Sequence, residues 1–94
     1  MQNQQLRFQV GDIVRLVSGF NNLENTGIST QDVSGLFVVW SVGHGPYGAP
    51  EYQIDTYPVK RARWWANDDW LVRDEFMTAL HRAKEEHAKK IQAG

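Results

Sequence analysis

Leu36-Phe37-Val38-Val39-Trp40-Ser41-Val42 is the strongest strand signal in the chain. It is seven residues long, nearly continuous in apolar side chains, and rich in β-branched and aromatic types that suit a pleated surface. Near-continuity suggests a central strand, with one face in the core and the other partly covered. Gly43–Pro50 follows as a turn-rich connection. Glu51–Tyr57 then alternates, with Tyr52, Ile54 and Thr56 against Glu51, Gln53 and Asp55. That pattern predicts a return strand antiparallel to the first.

Working outward, Pro58 ends or edges this strand. Lys60–Ala66 can be strand again, with Ala62 and Trp64 on one face and Arg61, Arg63 and Trp65 on the other. Asn67-Asp68-Asp69 reads as a turn or helix start, and Trp70–Val72 as a short last strand or a 3-10 turn. Asp74 to Gln92 reads as helix, with acidic residues first and Lys89 and Lys90 last. Glu85–Lys89 and Glu86–Lys90 have the favourable i,i+4 order. The helix carries a thin stripe of Phe76, Leu80, Ala83, His87 and Ile91, whose first half is expected to dock on the strands.

Toward the N-terminus, Ser18–Gly35 is loop-like, dense in Gly, Asn, Ser and Asp. A loop of that length in so small a domain is functional or mobile. Phe20, Leu23, Ile28 and Val33 could pin it down. Ile13–Val17 suits a strand, Gly11-Asp12 a turn, and Leu6–Val10 alternates as a half-buried strand. Met1–Gln5 is a polar arm without the apolar stretch of a signal peptide, so a cytoplasmic location is expected.

The stretch Phe8-Gln9-Val10-Gly11-Asp12-Ile13-Val14-Arg15-Leu16-Val17-Ser18-Gly19 resembles the opening strand of bacterial SH3-like small barrels. It is similar to the "F-x-V-G-D-x-V-x-L-x-S-G" pattern of the YodC-like family. A "V-G-D-x-V" opening also occurs in the barrel of the nitrile hydratase β subunit. The resemblance covers about twelve residues and implies a fold, a small antiparallel barrel of about five strands. It carries no catalytic residues onto this chain, and small barrels host many roles. The long loop after Gly19, the Trp-rich later strands and the helical extension depart from the pattern. The expected organisation is therefore an arm over 1–5, an SH3-like barrel over 6–73 and a C-terminal helix over 74–94.

Composition narrows the chemistry. The 94 residues contain no cysteine, which excludes a disulfide framework, a thiolate metal site and a Cys nucleophile. No apolar run approaches the ~18 residues of a membrane span. His44, His81 and His87 have no ligand neighbours at useful spacing. Asp68-Asp69 reads as a turn or cap pair. No nucleophile elbow, P-loop or dinucleotide fingerprint is present. The expectation is a non-enzyme without cofactor or metal.

Net charge is −1, but it is unevenly spread. Phe8–Tyr57 is strongly acidic, with Arg15 against Asp12, Glu24, Asp32, Glu51 and Asp55. Pro58–Arg73 is basic, with Lys60, Arg61, Arg63 and Arg73 against Asp68 and Asp69, and it holds three of the four tryptophans. Trp and Arg are enriched at interface hot spots. Four Trp and three Tyr are also more than a core this small can hold. The candidate partner-binding residues are Arg61, Arg63, Trp65, Trp70 and Tyr47. A protein partner is expected, and the size and composition suit a phage or bacterial accessory regulator or inhibitor. One bland reading stands beside this one, a solvated strand with Trp65 partly covered by the C-terminal helix. The alternative function is nucleic-acid binding through the same basic–aromatic surface, because arginine beside aromatics also pairs phosphates and stacks bases. The helical stripe could instead pair with a second copy as a homodimer.

Overall fold

The structure, a computed structural model, describes residues 5–18, 20, 28, 35–58 and 63–93, without the side chains of 91–93. Most of the predicted 18–35 loop lies outside the described residues, as do Met1–Gln4, Lys60, Arg61 and Ala62. Among the described residues there are five strands: β1 (Ile13–Leu16), β2 (Leu36–His44), β3 (Pro50–Tyr57), β4 (Arg63–Asn67) and β5 (Leu71–Arg73). A 3-10 turn, Asp68–Trp70, joins β4 to β5, and helix α1 (Glu75–Ala93) ends the chain. All neighbouring strands are antiparallel, in the order β4-β3-β2-β1-β5. The protein is thus mainly β with a C-terminal helix, as the hydropathy pattern predicts. The ladder is an open sheet whose edges are β4 and β5.

Alternation decides the two faces. Val14, Phe37, Val39, Tyr52, Ile54, Ala66 and Leu71 point into one core, joined by Phe8 from the N-terminal segment and Ile28 from the loop. Edge-to-face ring pairs, Phe8–Tyr52 at 5.1 Å and Phe37–Trp64 at 5.9 Å, give this core definite geometry. The opposite face carries Ile13, Val38, Asp55 and Arg63 in one cross-strand row.

Leu6–Val10 is not the strand that its alternation predicts. It is an irregular segment without ladder pairing, bent at Arg7 and turning at Val10, and only Phe8 is buried. Side chains satisfy its backbone instead: Arg7 N donates to the Tyr52 hydroxyl and Gln9 N to Asp12 Oδ2. Arg7 then clamps the 3-10 turn, bonding Asp68 Oδ2 at 2.7 Å and the Asp68 carbonyl at 2.6 Å. The Tyr52 hydroxyl donates to Asp68 Oδ1. Burial and that hydrogen bond raise the Tyr52 pKa above its ordinary value.

The Gly11-Asp12 corner fixes β1. Gly11 has φ +93°, and its N–H donates to the Val39 carbonyl at 2.9 Å. A Cβ there would meet nothing closer than Arg82 Nη1 at 3.8 Å, so conformation and not space demands glycine. Gly11→Ala is expected to cost about 1–2 kcal/mol, read as a shift of the urea midpoint at unchanged m.

Helix α1 docks through polar contacts, and this corrects the predicted stripe. Phe76 is 75% exposed and Leu80 is exposed as well. The docked face is Thr78, His81 and Arg82. Thr78 Oγ1 accepts from Ile13 N and donates to the Ile13 carbonyl. Arg82 reaches the buried Asp12 carboxylate at 2.5 Å. The His81 ring stands edge-on to Tyr57 at 5.2 Å, and His81 pairs with Glu85, the residue expected to pair with Lys89. No described helix is long and apolar enough to cross a membrane.

Asp74 caps the helix, its Oδ1 accepting from Met77 N at 2.9 Å. That bond, with Arg15 on Oδ2, holds its carboxyl below the ordinary 3.8. A lowered folded-state pKa contributes stability above the ordinary value and loses it as pH falls through the folded one. Asp74→Asn keeps an oxygen for the cap but no charge. The stability advantage of wild type over this variant should therefore shrink as pH drops from about 5 toward 3, measured by urea unfolding across that range.

Candidate functional site

The surface feature with chemical potential is the part of the outer sheet face that α1 leaves uncovered. The helix lies over Ile13 and Tyr57 and shelters that end. Beyond it lie Trp40, Arg63 and Trp65.

The β2–β3 register shifts between Val39 and Ser41, so Trp40 is an extra, bulged residue. Bulges re-aim side chains. Here the Trp40 indole Nε1 donates to Asp55 Oδ2 at 3.0 Å. Asp55 is fully buried in the sheet, so Trp40 is held from beneath while its ring remains 40% exposed. The Arg63 guanidinium lies over that ring, 4.2 Å from its centroid. The stack contributes about 0.5–1 kcal/mol at a surface like this and orients the guanidinium plane. Two residues along β4 on the same face, Trp65 is 54% exposed and opposite Gln53.

The arginines sort themselves by partner. Arg7 pairs with Asp68, Arg15 with Asp74, Arg73 with Asp12 and Glu75, and Arg82 with Asp12. Among the described arginines, Arg63 alone makes no ion pair. Its N–H groups are available to an incoming acceptor.

The five sequence candidates are distributed as follows. Arg63 and Trp65 share the outer face, as their spacing predicts, while Trp64 packs inward on Phe37. Arg61 lies outside the described residues. Trp70 faces the other way, packing against the core cluster with its ring 5.3 Å from that of Phe20. Tyr47 is 75% exposed in the β2–β3 turn, beyond the His44–Pro50 pair and not beside Trp65. Trp40 and Asp55 are the members that sequence reasoning missed. Alternation set Asp55 on the polar side of its strand and gave no sign of its burial, and the bulge that brings Trp40 over it has no local sequence signal either.

Below Trp40, on the helix side, an apolar cleft of about 150 Å3 opens between Val10, Val38, Trp40, His81 and Glu85. Among the described residues, no group of three or more His, Asp or Glu is placed to hold a metal ion. Comparison with family models, with curated proteins and with solved structures gave no match.

Proposed function

We propose that this protein is a non-catalytic binding module whose partner is a protein, acting as an accessory regulator, and that Trp40, Arg63 and Trp65 form its contact surface. One observation carries the reading. Arg63 is stacked on a ring anchored to a buried carboxylate, is free of any ion pair among the described residues, and is flanked by a second exposed tryptophan. Hot spots are built from such Trp and Arg groups held in place before the partner arrives. The likeness of Phe8–Gly19 to small-barrel openings is compatible with a binding role and supplies no catalytic residue.

A protein is favoured over nucleic acid by charge. Nucleic-acid affinity comes mainly from several phosphate contacts. The acidic balance of Phe8–Tyr57 opposes an approaching phosphate backbone, and Asp55 and Glu85 set negative charge close to the face.

The test is affinity capture from nuclease-treated lysate of the source organism, using wild type, Arg63→Gln and Trp65→Ala. A protein held by wild type and lost from both variants supports the reading. Equal capture by all three overturns it. Retardation of DNA or RNA that weakens steeply between 50 and 200 mM salt and disappears in Arg63→Gln would instead establish the nucleic-acid alternative.

A further inference from the structure

The free guanidinium and the apolar cleft meet at one residue, Trp40, which carries Arg63 on its ring and also lines the cleft. Building on the protein-binding reading above, we propose that the partner is recognised through a short extended segment bearing one acidic side chain and one Leu-, Ile- or Phe-sized side chain. The carboxylate takes Arg63 and the apolar group fills the cleft beside Trp40.

Three observations fix this chemistry. The first is charge. A guanidinium offers a planar fork of N–H donors that matches a carboxylate, and Arg63 has spent none of them on a protein acceptor among the described residues. The second is volume. A cavity of about 150 Å3 with apolar walls holds a group of benzene size, and this cleft has that volume, with Val10, Val38 and the Trp40 ring supplying the walls. Val10 and Trp40 are both exposed, so filling the cleft removes apolar surface from water. The third is polarity along the face. Glu85, held by His81 Nε2 at 3.1 Å, marks the helix-side rim with negative charge. A partner carboxylate is repelled at that rim and attracted at Arg63, so the segment lies in one direction, apolar residue toward the helix and acidic residue toward β4.

The probe is a set of acetylated, amidated pentapeptides added to the isotope-labelled full chain. One has Leu followed two residues later by Asp, one has them three apart, and the controls carry Leu→Ala or Asp→Asn. Side chains two apart in an extended segment share a side, which matches a continuous face. The readout is the NMR signals of the Trp40 indole N–H and the Val10 and Val38 methyls. A Leu/Asp peptide should shift these signals with a millimolar Kd, and either control should bind about ten-fold more weakly. Arg63→Gln should abolish the preference for Asp over Asn and keep that for Leu over Ala.

Absence of shifts up to about 10 mM peptide overturns the inference, as do equal affinities for Asp and Asn peptides. A thymidine oligonucleotide that shifts the same signals more strongly than the peptides overturns it in favour of a phosphate ligand. Shifts that appear with protein concentration alone assign the cleft to a second copy and overturn it too. Partner capture that depends on Trp65, without Asp/Asn discrimination, removes this inference and leaves the binding reading standing. Loss of both removes that reading as well.

Discussion

Asp12→Ala is expected to lower the unfolding free energy by about 2–4 kcal/mol. The Asp12 carboxylate is 1% exposed and joins three parts of the molecule. It accepts from Gln9 N at 3.0 Å, from Arg82 on α1 at 2.5 Å and from Arg73 on β5 at 3.3 Å. Deleting it leaves the part-buried Gln9 N–H without its acceptor and removes the Arg82 link between the helix and the Gly11 corner. Both arginines are partly exposed and can rehydrate, which keeps the cost below that of stranding a fully buried charge. Each arginine alone should therefore matter less, at about 1 kcal/mol for Arg82→Ala. For a domain of this length 1 kcal/mol moves Tm by about 4–8 °C, so Asp12→Ala should melt about 8–30 °C below wild type. Thermal and urea unfolding measure this directly. A loss under about 1 kcal/mol would mean that the carboxylate does not hold the corner and helix together.

Periodicity read the strands well because one side of each is packed against a single core. The alternation in Glu51–Tyr57 and the continuous apolar run from Leu36 became paired strands, and the Trp64/Trp65 parity placed one ring inward and one outward. The same rule failed for Leu6–Val10, where side-chain acceptors replaced a partner strand. It failed again on the helix, because hydropathy cannot see that a threonine hydroxyl and an arginine will dock while a phenylalanine stays out. Thr78 and Arg82 answer to Ile13 and Asp12, more than sixty residues away in sequence. The candidate site was half legible for a related reason. Arg63 and Trp65 lie on one strand, where spacing alone puts them together. Trp40 reaches them only through a bulge and a buried carboxylate, which no local pattern announces. Composition could not say which charges are already paired. Of the basic residues in Pro58–Arg73, Arg73 is consumed by Asp12 and Glu75, Arg63 is left without an ion pair among the described arginines, and Lys60 and Arg61 lie outside the described residues.

The adjacent tryptophans provide the sharpest separation of stability from binding. Trp64→Ala is expected to cost about 2–4 kcal/mol, somewhat less than a fully buried Trp→Ala because the ring is only partly covered. Its contact is with Phe37, at the centre of the core. Trp65→Ala, one residue along on the opposite face, removes a ring that is 54% exposed and should change stability by no more than about 0.5 kcal/mol. In partner capture the order reverses for the folded proteins. Trp65→Ala should lose binding, while Trp64→Ala, assayed below its own unfolding transition, should retain it. Paired urea unfolding and capture on the two variants decide the matter. If Trp65→Ala destabilised the protein as much as Trp64→Ala, the outer ring would be part of the packing and not of a contact surface. If Trp64→Ala alone abolished capture while still folded, the contact surface would lie on the core side of β4, where Trp70 also packs.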